Sequence, residues 1–135
     1  KNCVIIMQQI TGKLAQDLSE NKLISACMKI GKIIGLMHKN GIMHGDLTTS
    51  NFIVSGKKIF ILDFGLANKT NKPEDHAVDL RLIKEILNSA HAKIMIPAWK
   101  NFLLGYKSIV GNAYYVKITK LVSDIESRGR YAKVV

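Results

Sequence analysis

The chain has 135 residues, of which 47% are hydrophobic and 22% are charged, as is typical of one folded domain and not of a disordered chain. No apolar run reaches the length of a membrane span, and the first apolar segment is too short for a secretory signal, so we expect no membrane association. The net charge of +10 favours a polyanionic partner, with a plain contribution to solubility as the alternative. The excess is concentrated in residues 93–135, which carry eight basic and two acidic side chains.

The first half of the chain contains four predicted elements. The apolar run that begins at Cys3 predicts a strand over about residues 3–9, and a short helix is expected at 13–18. Apolar positions then recur every three or four residues over 22–39, which predicts an amphipathic helix ended by Asn-Gly. The segments 52–54 and 59–62 flank Ser-Gly-Lys-Lys and predict a β-hairpin.

Three further helices are predicted in the second half. One begins at Pro73, where Glu74 and Asp75 favour a helix N-terminus, and its apolar positions predict that it is buried on nearly all sides. Another is expected to open at Pro97, and the last contains the apolar residues of 118–125. The predicted fold class is therefore mainly α with a small β-hairpin.

Two cysteines, Cys3 and Cys27, lie in apolar surroundings without metal-site spacing. We interpret them as buried free thiols of a reducing compartment, which favours a cytoplasmic protein.

Two polar motifs lie between the hydrophobic segments. In HGDLTTSN, Asp46 precedes Asn51 in a loop after the long helix, and ILDFG places Asp63 directly after the hairpin. Transfer of a γ-phosphoryl group requires a carboxylate that positions or deprotonates the acceptor, and oxygen ligands for Mg²⁺. Because the hairpin folds the chain back, it should bring Asp63 beside the other two residues. Each motif alone could be a set of turn residues; together, in this order, they indicate phosphoryl transfer.

These motifs carry a resemblance to a known family. The chain resembles the C-terminal lobe of the protein-kinase-like fold in four motifs, HGDLTTSNFIV, ILDFGLA, EDHAVDL and RGRY. Within that fold, it is most similar to the atypical serine/threonine protein kinases of the KEOPS complex (the bud-site-selection type). Those kinases are partners of the tRNA threonylcarbamoyl-transferase subunit. The resemblance covers residues 1–135, from the hinge strand at 3–9 through the catalytic loop at 44–51 and Asp-Phe-Gly at 63–65 to a basic tail at 127–135.

The resemblance implies a function and its cofactors. We expect an ATP-dependent kinase or ATPase that uses Mg²⁺ or Mn²⁺ and supports threonylcarbamoyladenosine modification of tRNA. Asp46 would be the catalytic base, and Asn51 and Asp63 the metal ligands. The expected partners are the transferase subunit, other KEOPS subunits and tRNA.

The resemblance also assigns supporting residues. Among the ATP-binding positions, Ile53 would form the floor beneath adenine. The hinge edge would be formed by Met7, Gln8, Gln9 and Ile10. His44 would pack near Phe64, and Asp79 would hold the catalytic loop through its backbone amides. The alternative for Asp79 is an ordinary helix-surface Asp, but an acid inside so apolar a helix needs partners, which favours the structural role.

Several features depart from a regulated protein kinase. Gly45 replaces the Arg that pairs with a phosphorylated activation loop, and no Gly-rich loop or VAIK-type Lys precedes the hinge. We therefore expect the N-terminal lobe to lie outside this chain, and the chain alone to be inactive. Two alternatives stay open: a small-molecule phosphotransferase of the aminoglycoside-kinase type, and a non-catalytic adaptor lobe that binds the transferase subunit and tRNA.

The basic tail has two interpretations. Its residues could form a solvated chain end. In the second interpretation, the tail binds tRNA, with its arginines in contact with phosphate groups and its tyrosine stacked on a base. The same residues could instead bind a protein partner. The residues predicted for that role are Arg128, Arg130, Tyr131 and Lys133.

Overall fold

The computed structural model describes residues 2–132, and their side chains as far as Gly129. It confirms a mainly helical fold with a small antiparallel sheet. The four helices are α1 (Glu20–Lys39), α2 (Pro73–Ala90), α3 (Met95–Val110) and α4 (Asn112–Ala132). The five strands are β1 (Lys13–Leu14), β2 (Ile42–Met43), β3 (Phe52–Ser55), β4 (Lys58–Ile61) and β5 (Asn68–Lys69).

The strands form two small antiparallel sheets. In the first, the order is β1-β3-β4, and β3 and β4 make the predicted hairpin with Phe52 opposite Ile61. Its turn begins at Gly56, whose φ of 59° suits the first turn position of a two-residue hairpin. In the second sheet β2 pairs with β5, so the segment before the HGDLTTSN loop is joined to the segment after Asp-Phe-Gly.

Helix α1 forms where the periodic apolar pattern predicted it. Leu23, Cys27, Ile30 and Ile34 are buried along one face. The helix ends at the predicted Asn-Gly, where Gly41 has a φ of 71° and its N–H donates to the carbonyl of His38.

Helices α1 and α3 approach each other through glycines. A methyl group added at Gly31 would lie 2.0 Å from the carbonyl oxygen of Phe102, and one added at Gly105 would lie 1.9 Å from that of Met28. Only hydrogen atoms fit between the two backbones at these points. The close crossing allows α1 and α3 to share one core with α2 and α4, in which Phe102, Tyr106 and Ile118 are wholly buried.

Two predicted elements near the start of the chain are wrong. Residues 2–10 form no strand, because no described segment lies alongside to complete a hydrogen-bonded ladder. Residues 13–18 form strand β1 and a single 3-10 turn instead of a helix, because β1 pairs with the outer edge of β3.

Further details also differ from the sequence interpretation. Cys27 is buried, but Cys3 is exposed on the unpaired segment. Helix α2 has an exposed side at Val78, so it is not covered all round, and α3 begins at Met95, two residues before Pro97. Residues 127–132, the first part of the predicted basic tail, form the end of helix α4.

Within residues 2–132, none of the helices combines the length and apolar character that crossing a membrane requires.

The glycine crossing yields a stability prediction. Gly31→Ala and Gly105→Ala should each lower the free energy of unfolding by about 1 to 3 kcal/mol, because the added methyl group forces the two backbones apart. Urea unfolding measures the change. The control is Gly129→Ala in α4, where no atom lies within 4 Å of the added methyl group; it should raise stability by up to about 1 kcal/mol through helix propensity. Equal stability of all three variants would contradict the close crossing.

Candidate functional site

The loop at 44–51 is closed by a side-chain hydrogen bond. Asn51 Nδ2 donates to the backbone carbonyl of Asp46 at 2.8 Å. This bond fixes the amide so that its oxygen points away from the loop backbone. Asp46 and Asn51 are both half-buried, so their side chains are supported by the protein and reach solvent on one side.

The hairpin returns Asp63 to this loop. Beyond the last paired residues of β3 and β4, the N–H of Leu62 donates to the carbonyl of Asn51 at 2.8 Å. Asp63 follows directly and is exposed, with its Oδ1 accepting from the N–H of Gly65 at 3.2 Å. Its φ of 58° makes it the one described residue other than glycine in the left-handed region. Asp tolerates that region better than most residues.

His44 fastens the loop to the segment that contains Asp63. Its ring is buried, and Nε2–H donates to the carbonyl of Leu62 at 2.8 Å while Nδ1 accepts from the N–H of Asp46 at 3.2 Å. The ring centroid lies 5.4 Å from that of Phe64. Because both ring nitrogens are occupied, His44 has a positioning arrangement and not that of a proton-transfer group.

Asp79 connects α2 to the start of the loop. Its carboxylate is completely buried and accepts from the backbone N–H of His44 at 2.8 Å and of Gly45 at 2.9 Å. Gly45 has a φ of 89°, and a methyl group there would lie 2.4 Å from the carbonyl oxygen of Leu66. The position is therefore restricted to glycine by both backbone conformation and space.

A pair of stacked imidazoles extends the network around Asp79. His38 on α1 donates from Nε2 to Asp79 at 2.8 Å, and its ring stacks on that of His76, with centroids 4.2 Å apart and planes 5° from parallel. The Tyr106 hydroxyl donates to His38 Nδ1 at 2.8 Å. The Tyr114 hydroxyl donates to His76 Nδ1 in the same way, and His76 Nε2–H donates to the carbonyl of Thr70.

Burial accounts for the protonation states in this network. Desolvation lowers the pKa of His38, and the hydrogen bond to Asp79 offsets part of that effect. Desolvation also raises the pKa of the Tyr106 and Tyr114 hydroxyls. Both tyrosines are therefore neutral donors and His38 is a neutral acceptor, in agreement with the directions of the hydrogen bonds.

Sequence reasoning missed this network. One signal was present, since His38 follows Ile30 and Ile34 on the buried face of α1, where a polar side chain needs a partner. No local feature of the sequence, however, indicates that the ring of His38 stacks on that of His76.

The residues predicted to contact adenine are only partly brought together. Met7, Gln8 and Gln9 are exposed on the unpaired segment, and Ile10 is partly exposed. Ile53 lies in the middle of β3, opposite Phe60 of β4. Just before β1 pairs with β3, the chain comes close to the backbone of β3 at Gly12, where a methyl group would lie 2.4 Å from the carbonyl oxygen of Val54.

The predicted basic tail lies mostly outside the described side chains. Arg128 is exposed on α4. The side chains of Arg130 and Tyr131, and all of Lys133, lie outside the described residues.

The oxygen donors at the loop suit a hard cation. Among residues 2–129, no cluster of three or more His, Cys, Asp or Glu side chains is arranged for a metal. The pair formed by Asn51 and Asp63 offers an amide oxygen and a carboxylate, the ligand types that Mg²⁺ prefers when phosphates and water complete its shell. The fixed orientation of the Asn51 amide leaves that oxygen available, so the residues fit this metal.

Comparison with known proteins agrees with this geometry. The family described as "Protein kinase domain" matches residues 2–93. A Methanocaldococcus jannaschii protein named "Probable bifunctional tRNA threonylcarbamoyladenosine biosynthesis protein" is 45% identical over 96% of this chain. The "KEOPS complex subunit Bud32" of Pyrococcus abyssi is 38% identical over 97% of it. The chain spans 23% and 61% of the lengths of these two relatives.

The imidazole network yields a pH prediction. Because the pKa of His38 lies below its ordinary 6.5 in the folded chain, unfolding takes up a proton in the acid range, and the free energy of unfolding should fall as the pH drops below about 6.5. His38→Gln keeps an N–H donor for Asp79 but cannot titrate. This variant should be less stable than the parent at about pH 7.5, by about 1 to 3 kcal/mol for the unpaired Tyr106 hydroxyl.

Urea unfolding at about pH 7.5 and about pH 5 measures both effects. The variant should lose less stability than the parent on acidification. An identical loss in both proteins would show that His38 does not titrate on unfolding.

Proposed function

Since the chain belongs to the protein kinase family, we propose that it supplies the catalytic loop and metal-binding residues of an ATP-dependent atypical serine/threonine kinase or ATPase. The observation that supports this most directly is the closure of one loop by Asn51 and Asp46, with Asp63 returned to it through the backbone bond from Leu62 to Asn51. Together these residues offer the acceptor-positioning carboxylate and the two oxygen ligands that phosphoryl transfer requires.

Asp46 has the catalytic role in this proposal. Its carboxylate accepts the proton of the attacking hydroxyl or water, or orients that group toward the phosphorus. The Asp46 N–H donates to His44 Nδ1, and the Asp46 carbonyl accepts from Asn51 Nδ2, so the backbone is fixed on both sides of the carboxylate. Such pre-organisation spares the reaction the cost of ordering the base.

Asn51 and Asp63 bind the cation. Mg²⁺ held there, or Mn²⁺ in its place, would neutralise charge on the phosphates of ATP. The chain contributes a fixed amide oxygen and a carboxylate whose backbone conformation is set by the left-handed turn at Asp63. His44 and Asp79 contribute by position only, because their polar atoms are occupied in binding the loop.

The adenine site is only partly supplied by this chain. We propose that Ile53 forms its floor and that residues 7–10 form its hinge edge. The exposed apolar run at 4–7, with fractional exposures of 78 to 93%, supports a role in which this segment lies against further protein or nucleotide.

The wider function follows from the names of the relatives. Their names specify threonylcarbamoyladenosine biosynthesis on tRNA and a subunit of the KEOPS complex. We propose that this chain serves in the same modification, in the cytoplasm, with the tRNA threonylcarbamoyl-transferase subunit, other KEOPS subunits and tRNA as partners. The excess of basic residues in 93–135, which includes the predicted tail, supports an acidic partner for this part of the chain.

The proposed acids and amide are tested by substitution in the full-length protein. Asp46→Ala, Asn51→Ala and Asp63→Ala should each lower ATP turnover about 100-fold or more, because each removes a group positioned for the transition state. Phosphate release and phosphoprotein formation with varied Mg²⁺ separate ATPase from kinase activity. Asp124→Ala, which removes an exposed carboxylate on α4, is the matched control and should leave turnover unchanged. Normal turnover by Asp63→Ala would refute the metal assignment.

The basic tail gives a second test. The double change Arg128→Ala with Arg130→Ala should weaken tRNA binding. The negative slope of log affinity against log salt should become shallower by about 2, one unit for each lost phosphate contact. Filter binding across a salt series measures this effect. The control is Lys57→Ala with Lys58→Ala at the hairpin, which removes the same number of positive charges. If the tail variant matches the parent in both affinity and slope, the tail does not contact tRNA.

A further inference from the structure

Helix α3 packs into the core through its inner face and carries exposed apolar side chains on its outer face. Its inner face, with Phe102 and Gly105, contacts α1. Its outer face carries Ile96 and Leu104, whose side chains are 79% and 48% exposed. Exposed apolar side chains that are grouped on one surface are typical of an interaction site, and nothing in the described part of the chain covers these two.

The outer face of α3 forms one wall of a groove toward α4. The groove has a volume of about 580 Å³, and its surface is mainly apolar. Trp99 and Leu103 from α3 and Tyr115 from α4 are half-buried in it. We call this feature the α3–α4 groove. Trp and Tyr are among the residue types that provide most of the binding energy at protein interfaces.

The rim of the α3–α4 groove is cationic. Lys84, Lys100 and Lys107 line it. Lys84 is neutralised by Glu126 at 2.9 Å. Lys100 and Lys107 have no carboxylate within 4.0 Å among the described side chains, so their charges are available to a partner.

We propose that the α3–α4 groove binds an acidic amphipathic helix of a partner protein. On α3, Ile96, Lys100, Leu103 and Lys107 follow one another at spacings of three or four residues, so apolar and cationic positions alternate along one helical stripe. A helix with aliphatic residues on one stripe and Asp or Glu beside it matches this stripe in shape and charge. The proposal rests on this surface and is independent of phosphoryl transfer.

Two other occupants fit less well. RNA would use aromatic faces for base stacking, but the Trp99 ring stacks on Phe102 and has the Lys84 ammonium 5.7 Å from its centroid. Lys107 lies in the same way 5.2 Å from the Tyr115 ring centroid. A second copy of the chain would bring two lysine rims together, which like-charge repulsion opposes.

Site-specific crosslinking identifies the occupant. The full-length protein, with the photo-crosslinking residue benzoylphenylalanine in place of Leu104, is irradiated in its native cells, and crosslinked peptides are sequenced by mass spectrometry. The expected product is one protein segment with aliphatic residues at helical spacing and several Asp or Glu. The same residue in place of Lys57, in the hairpin turn, serves as the position control and should not give this product.

Charge reversal then tests the rim. Lys100→Glu with Lys107→Glu should lower the crosslink yield about tenfold or more, because two attractions become repulsions. Lys117→Glu with Lys120→Glu, two exposed changes on α4 outside the groove, should leave the yield unchanged. The proposal is overturned if Leu104 crosslinks to RNA, to another copy of this chain or to a segment without acidic residues. It is also overturned if the yield is no higher than at Lys57 or does not respond to the rim charges.

Discussion

The arrangement of the site depends on one buried carboxylate. Asp79 is inaccessible to solvent and accepts three N–H groups, from the backbone of His44 and Gly45 and from the ring of His38. An unpaired charge in this position would cost several kcal/mol, whereas three donors satisfy it. Because Asp79 belongs to α2 and His38 to α1, a single group connects two helices to the loop. The start of the loop is therefore positioned by helix packing, and the bonds made by His44 and Asn51 order the rest of it.

The features that the sequence predicted well are those with local causes. The bounds of α1 follow from apolar spacing and an Asn-Gly end, and the hairpin follows from two short apolar runs around a Gly turn. The grouping of Asp46, Asn51 and Asp63 follows in turn, because a tight hairpin must bring its two ends together. The proximity of these three residues could therefore be predicted from the sequence. Their function could not be predicted from any one of them, because each could be a turn residue, and only the combination indicates phosphoryl transfer.

The features that the sequence did not predict depend on distant partners. An apolar run at 3–9 has strand propensity, but a strand forms only where a second strand lies alongside. The local sequence of β1 favours a short helix, and its pairing with β3, about forty residues later, has no local signal. The contacts of His38 with His76 and Tyr106 span similar or longer separations. Such contacts arise from the packing of completed helices and cannot be read from any one of them.

The hydrogen bond between Tyr106 and His38 constrains how this core takes up a proton. A proton added to Nδ1 of His38 would meet the hydroxyl hydrogen of Tyr106, so that hydroxyl would have to rotate and accept instead of donate. The new charge would also be buried away from water, and this desolvation is the main cause of the lowered pKa of His38. Protonation of His38 therefore costs the core both the burial of a charge and the reversal of a hydrogen bond between α1 and α3.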